Sequence, residues 1–323
     1  MSAVVTYSPA YTIVPTYECF NRCTYCNFRT DPGKSDWISL VEVEKILTKF
    51  TKLKIWEVLV LSGEVHPNSS RRENWFNLIY KICELALSLG FLPHTNAGIL
   101  TFEEMAKLKQ VNVSMGLMLE QITPDLGKTV HKYAPSKEPQ LRLQQLKWAG
   151  ELGIPFTTGL LLGIGESEQE RWNSLEAIAS IHQQWGHIQE VILQPYSRGT
   201  HQSLVAESFN PYDLPDLIAL ARKILPPEIT IQIPPNLIPE EKFLLECLEA
   251  GARDLGGISP KDEVNPDYNH PQVTYLANLL KTANWQLKPR LPIYPRYYSW
   301  LSEKLRKLVN LPKFAEKLAL DGN

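Results

Sequence analysis

Short runs of β-branched and aromatic residues alternate along nearly the whole chain with longer stretches in which apolar positions recur every three or four residues. The first pattern predicts strands at Tyr11–Thr16, Ile55–Leu61, Phe91–Thr95, Val111–Met118, Ile154–Leu162, His187–Leu193, Ile229–Ile233 and Arg253–Gly257. The second predicts helices at Leu40–Phe50, Trp75–Leu89, Phe102–Lys109, Leu141–Leu152, Glu168–Gln184, Leu214–Leu225 and Glu240–Ala250. Ser39 with Glu42, Thr101 with Glu104 and Ser167 with Glu170 have the spacing of a capping box, in which a hydroxyl and a carboxylate three residues on satisfy each other's backbone donors. Gly90, Gly153 and Gly251 stand where three of the helices should end.

Strand–helix alternation forces parallel strands joined by crossover helices, and eight such units close into a (β/α)8 barrel of the TIM type. An open, doubly wound sheet is the alternative. After residue 284 the pattern breaks at Pro289, Pro292 and Pro295, so Trp285 to Tyr298 reads as a tail wrapping the barrel, closed by an amphipathic helix at Trp300–Val309. The expected division is a barrel over residues 1–295 and a helical tail over residues 296–323 packing on it, within one domain.

The length of 323 residues suits one barrel, and 44% hydrophobic with 21% charged residues is ordinary globular usage, which excludes a disordered or fibrous chain. Lys and Arg number 33 against 35 Asp and Glu, a balance that argues against a nucleic-acid partner. No apolar run approaches the roughly 20 residues of a membrane helix. Met1 to Pro9 carries no signal-peptide pattern. Five cysteines, an odd number without an export signal, point to a cytoplasmic protein with reduced thiols. Cys83 and Cys247 fall on apolar faces of helices and read as packing residues.

The other three, Cys19, Cys23 and Cys26, follow the first strand directly. Loops at the C-terminal ends of barrel strands are where such folds keep their chemistry. Structural zinc wants four protein ligands, and no fourth Cys or His lies nearby, the next being His66 beyond another strand. Three thiolates suit a 4Fe-4S cluster with one iron left open. A zinc or iron–sulfur site without catalysis stays as the alternative. Gly63-Glu64 after the second strand offers close backbone approach and a carboxylate acceptor. Gly163 and Gly165 after the fifth let the chain approach a polar ligand at a helix start. His94, Asn96, Gln189, Glu190, Gln194 and Asn236 lie along or after other strands, and buried polar groups of this kind suit a polar, ring-rich substrate.

The spacing of the three cysteines resembles the radical S-adenosylmethionine (SAM) superfamily, whose members chelate SAM on the open iron and cleave it to a 5′-deoxyadenosyl radical. The resemblance implies that Tyr25 lies near the adenine. Ser62-Gly63-Glu64 is similar to the superfamily's Gly-Gly-Glu motif, with a serine in place of the first glycine. Glu120 and Arg142 would meet the ribose or methionyl part of SAM, and the Gly163–Gly165 turn the adenosine.

Longer strings resemble one family in particular, the CofG-type subunit of 7,8-didemethyl-8-hydroxy-5-deazariboflavin synthase. They include Pro93-His-Thr-Asn-Ala-Gly98, Ser114-Met-Gly-Leu-Met-Leu-Glu120, Ala134-Pro-Ser-Lys137, Gly186-His-Ile-Gln-Glu-Val-Ile192 and Ile233-Pro-Pro-Asn-Leu237. One departure is Gln194-Pro-Tyr-Ser-Arg-Gly199, where that family usually has Gln-Asn-Phe and a basic residue. The resemblance implies a lyase that acts on an adduct of a tyrosine-derived fragment with 5-amino-6-ribitylaminouracil, closing the deazaflavin ring with loss of ammonia. It implies a CofH-type partner that supplies the adduct and a low-potential electron donor. A CofH-like or aminofutalosine-related radical SAM enzyme is the neighbouring alternative.

Overall fold

The computed structural model describes residues 3–204, 208–312 and 314. The first half of the chain runs β1 (Ala3–Ile13), α1 (Leu40–Phe50), β2 (Glu57–Leu61), α2 (Arg72–Ser88), β3 (Leu92–Asn96), α3 (Phe102–Leu108), β4 (Ser114–Gly116) and α4 (Pro139–Glu151). The second half runs β5 (Phe156–Leu162), α5 (Glu168–Trp185), β6 (Ile188–Pro195), α6 (Leu214–Ile224), β7 (Thr230–Gln232), α7 (Glu241–Ala250), β8 (Asp254–Ile258), α8 (Val273–Thr282), β9 (Trp285–Pro289) and α9 (Glu303–Val309). All three capping boxes close, with Ser39, Thr101 and Ser167 accepting from the amides of Glu42, Glu104 and Glu170 and receiving their carboxylates in return. Gly90, Gly153 and Gly251 end their helices at positive φ (81°, 60° and 128°).

Strands β1 to β8 pair in sequence order, all parallel, and β1 pairs with both β2 and β8, which closes the ring. An open sheet is thereby excluded. The alternation within β2 shows how the barrel is filled. Glu57, Leu59 and Leu61 face the central cavity, while Val58 and Val60, fully buried, join the shell of apolar side chains between strands and helices. Cys83 and Cys247 are fully buried in that shell, and burial pushes their thiols up to about 11 and about 12. They are inert packing groups, as the sequence implies.

Three elements differ from the sequence expectation. β1 starts at Ala3 rather than Tyr11, because its first half is sheathed by β9 in parallel register, Ala3 to Trp285 through Tyr7 to Pro289. The stretch after residue 284 therefore begins as a ninth strand outside the ring. α8 supplies the eighth helix that the periodicity left unmarked. The segment that follows β9 crosses the end of the barrel where the strands begin. Trp56 Nε1 donates to the carbonyl of Arg290 (2.8 Å), Ser114 Oγ and Gln189 Nε2 donate to that of Pro292 (2.5 and 3.1 Å), and Tyr297 donates to that of Gly186 (3.0 Å). Residues 315–323 of the expected tail lie outside the described residues. Among the described residues no helix is long and apolar enough to cross a membrane.

Candidate active site

The loop from β1 to α1 carries Cys19, Cys23 and Cys26, and backbone bonds close it at its base: Cys19 N–H to Thr30 O (3.0 Å) and Thr30 N–H to Tyr17 O (2.8 Å). Glu18, 2% exposed, organises the return of the chain. Its carboxylate accepts from the amides of Gly33 (2.6 Å) and Ser35 (3.3 Å) and from Trp37 Nε1 (3.0 Å), and it pairs with Arg71 at 2.8 Å. Burial opposes ionisation of this carboxyl, but those donors together hold it below the ordinary range. The loop is then pinned to the barrel top. Phe20 N–H donates to Glu64 O (3.0 Å), Arg22 N–H to Tyr133 O (2.7 Å), Thr24 N–H to Val130 O (3.1 Å), and Ser136 N–H to Asn21 Oδ1 (3.1 Å). Gly63 is required where this loop crosses β2, since a Cβ there would stand 2.2 Å from the Glu18 carbonyl oxygen.

All three thiols are free and line one cavity of about 320 Å³ together with Tyr25, Glu64, Glu120, Lys137 and Arg142. Burial pushes Cys19 up and Cys23 up to about 12, so both favour the protonated form unless a cation neutralises them. Among the described residues, no three His, Cys, Asp or Glu side chains converge on a position for a single metal ion. A closed four-ligand zinc site is not what these residues build. A four-iron cluster takes one thiolate per iron, so its three ligands need to share a wall rather than a point, and these residues fit it.

Opposite the cysteines stands a linked set of charges. Arg142, 1% exposed, donates through Nε to Ser136 O (3.1 Å) and through a terminal nitrogen to Met118 O, and lies 3.7 Å from Glu64 and 3.9 Å from Glu120. Lys137 pairs with Glu120 at 2.5 Å. Glu64 receives the amide of Ile99 (3.3 Å) and packs over Gly98, where a Cβ would meet its Cδ at 2.1 Å. Tyr25 bonds His131 Nε2 at 2.9 Å, which fixes its ring beside Lys137. The Gly163–Gly165 turn sits differently from the sequence expectation. The amides of Gly163 and Ile164 already donate to Glu166 (2.7 and 2.9 Å), and the wall is reached by Leu161 instead.

A second cavity of about 180 Å³ lies deeper in the barrel. Asn96 and Gln194 border both cavities, so the two adjoin; His94 and Glu190 line the deeper one. Gln189 and Asn236 line neither. Gln189 is turned to the Pro292 carbonyl, and Asn236 holds Asp262 (2.8 Å) and the Tyr268 carbonyl (3.0 Å) in the loop after β8. Sequence reasoning missed three contributors. Lys137 stood inside a quoted string without a role. Tyr196, from the departing segment after β6, is buried and borders the cysteine cavity. Arg290, from the crossing segment, enters the deep cavity, where it meets Asp254 (2.6 and 2.8 Å) and Glu190. Burial pushes Glu190 up to about 7, against the pull of Arg290.

Comparison with known proteins places this geometry. Residues 13–178 match the radical SAM superfamily. The chain is 65% identical over 306 residues to a 7,8-didemethyl-8-hydroxy-5-deazariboflavin synthase from Trichormus variabilis, covering 95% of this chain and 90% of that one. It is 64% identical over 310 residues to the enzyme of that name from Trichodesmium erythraeum, covering 96% and 97%. Among solved structures, the FeFe-hydrogenase maturase HydG from Carboxydothermus hydrogenoformans superposes with a TM-score of 0.72 at 17% identity, covering 99% of this chain and 81% of that one. Methylornithine synthase (PylB) gives 0.66 at 14%, covering 89% and 84%. At such identities the last two speak for the barrel alone. The chain belongs to the radical SAM superfamily and, within it, to the family of the 7,8-didemethyl-8-hydroxy-5-deazariboflavin synthases.

Proposed function

We propose that this chain closes the deazaflavin ring: it takes an adduct of a tyrosine-derived fragment with 5-amino-6-ribitylaminouracil and, with loss of ammonia, forms 7,8-didemethyl-8-hydroxy-5-deazariboflavin. The observation that carries the reading is the pairing of cavities. Three free thiols and a set of opposed charges share the upper one, which adjoins, across Asn96 and Gln194, a polar chamber in the barrel. Cys19, Cys23 and Cys26 would hold the 4Fe-4S cluster. Glu64 and Glu120 offer carboxylates to the ammonium and hydroxyl groups of SAM, while Arg142 and Lys137 face its carboxylate. Tyr25 borders the same space as an aromatic face for the adenine. Cluster and SAM, when bound, supply the 5′-deoxyadenosyl radical. The protein's part would be to hold the substrate beside it and to keep water and stray hydrogens away.

The partners follow from the chemistry: a CofH-type subunit to deliver the adduct and a low-potential donor to reduce the cluster. Anaerobically reconstituted protein, given SAM, a reductant and the adduct, is expected to release 5′-deoxyadenosine and a fluorescent deazaflavin together. Full cluster content without SAM-dependent 5′-deoxyadenosine would sink the proposal. Turnover of free tyrosine with the ribityl uracil, without a partner, would favour a CofH-like enzyme instead.

A further inference from the structure

The deep cavity contains a chain of three hydrogen-bonding groups whose direction can be worked out. Ser114 Oγ stands 2.5 Å from the carbonyl oxygen of Pro292 and 2.7 Å from His94 Nδ1. A carbonyl only accepts, and two oxygens approach this closely only with a proton between them. The single Ser114 hydroxyl proton is therefore committed to Pro292, and Ser114 can only accept from His94. That places the imidazole proton on Nδ1 and leaves a lone pair on Nε2. Nε2 lies above Gly116, which borders the same cavity; a Cβ at that position would come within 2.9 Å of it. Among the described residues no partner is found for Nε2. His94 lines the cavity, so Nε2 is an acceptor presented to that open space.

We propose that His94 is locked in the neutral Nδ1–H tautomer so that Nε2 serves as a fixed hydrogen-bond acceptor for an N–H or O–H group of the substrate in the barrel. This rests on the function proposed above for the substrate's identity, an adduct rich in ureide N–H and ribityl O–H donors. It goes further in naming the recognising atom and the residue, Ser114, that positions it. Burial and the nearby Arg290 guanidinium keep the ring uncharged, pushing its pKa down to about 3. The group is thus a recognition element rather than a base that stores a proton at neutral pH.

The test uses holoenzyme with an oxidised cluster and SAM bound, with ¹⁵N-labelled histidines observed by NMR and His94 assigned through its backbone. The expected result is a protonated Nδ1 and a bare Nε2, with the Nε2 resonance alone shifting on addition of the adduct. His94→Gln is expected to raise KM for the adduct about tenfold, with kcat changed less, because the contact already exists in the ground state. Ser114→Ala should release the lock and give a mixture of tautomers. A proton on Nε2, an Nε2 resonance unmoved by saturating adduct, or unchanged KM in His94→Gln would overturn the proposal. If the wild type leaves the adduct unchanged, the functional reading fails, and the tautomer in the same sample still decides the Ser114 lock by itself. Should His94→Gln not fold, the wild-type tautomer and its response to adduct carry the decision.

Discussion

Lys137 Nζ and Glu120 Oε1 stand 2.5 Å apart, both nearly buried, and Glu120 reaches its partner from a left-handed backbone at φ 62°. A non-glycine residue in that region costs about 1 kcal/mol, so the surrounding structure has to hold it there. Burial alone would raise the Glu120 carboxyl; Lys137 and Arg142 outweigh it and keep the group ionised below the ordinary range.

Lys137→Met leaves the Glu120 carboxylate buried with only Arg142, 3.9 Å away. Removing one partner of a buried pair costs about 3 kcal/mol, which thermal melting should register as a fall of several degrees. SAM affinity, measured by calorimetry on the reconstituted protein, is expected to drop at least about tenfold. Adding Glu120→Gln to that variant should recover part of the stability and none of the affinity. Full recovery of both would show that the pair serves the fold alone.

The cysteines divide cleanly by experiment. Cys23→Ala should abolish the cluster's iron, sulfide and colour while leaving the melting temperature of cluster-free protein nearly unchanged, since Cys23 lies in a loop outside the apolar core. Cys247→Ser, which places a hydroxyl in the fully buried apolar core, should do the reverse: full iron content and a loss of about 1–2 kcal/mol in stability. Loss of iron in Cys247→Ser at a temperature where it is folded would contradict this division.

Gly98→Ala tests how Glu64 is seated. The glycine is at φ 74°, and the added methyl would overlap the Glu64 carboxyl carbon. Backbone strain contributes about 1 kcal/mol. The larger effect should be displacement of Glu64, seen as a SAM affinity reduced by about tenfold or more while iron content stays at the wild-type level. Equal affinity would mean that Glu64 does not reach the cofactor.

Stability should depend on pH through Glu190. Its carboxyl is raised by burial from 4.5 to about 7, so the folded state holds the proton more tightly than the unfolded chain. The stabilisation this brings is complete below pH 4.5 and is lost as pH rises through 7. Glu190→Gln mimics the protonated form at every pH. Its stability relative to wild type should rise between pH 5 and pH 8, by about 3 kcal/mol at most, in urea titrations. A pH-independent difference would mean that Glu190 is ionised throughout.

The barrel was readable because eight short β-rich runs alternate with seven period-3.6 runs and three helices announce their starts with capping boxes. α8 escaped because it follows a loop of Asn, Pro and His residues and has no N-terminal capping side chain. β9 escaped because Pro289 at its end and the prolines after it resemble a tail, and its one partner, the front half of β1, lies more than 270 residues away in sequence. The three cysteines were visible since their spacing is local. Lys137 and Arg290 were not, because a lone cation in a proline-rich stretch looks the same whether it meets solvent or a carboxylate across the barrel. His94 was picked out as a polar residue at a strand end, but its partner Ser114 and the Pro292 carbonyl become neighbours only after the ring has closed.

The segment that crosses the barrel end closes the deep chamber from outside the ring. β1 to β8 all precede Arg290, Pro292 and Tyr294 in chain order, so a ring of those eight strands alone would have its chamber open at the bottom. Glu190 and Asp254 would then face each other without their guanidinium, and Ser114 would have no carbonyl to orient it. A chain cut between β8 and Arg290 could still present its three cysteines to iron, yet its chamber would lack a floor. Damage to the crossing segment is thus read out at the substrate end of the barrel, far from the cluster loop.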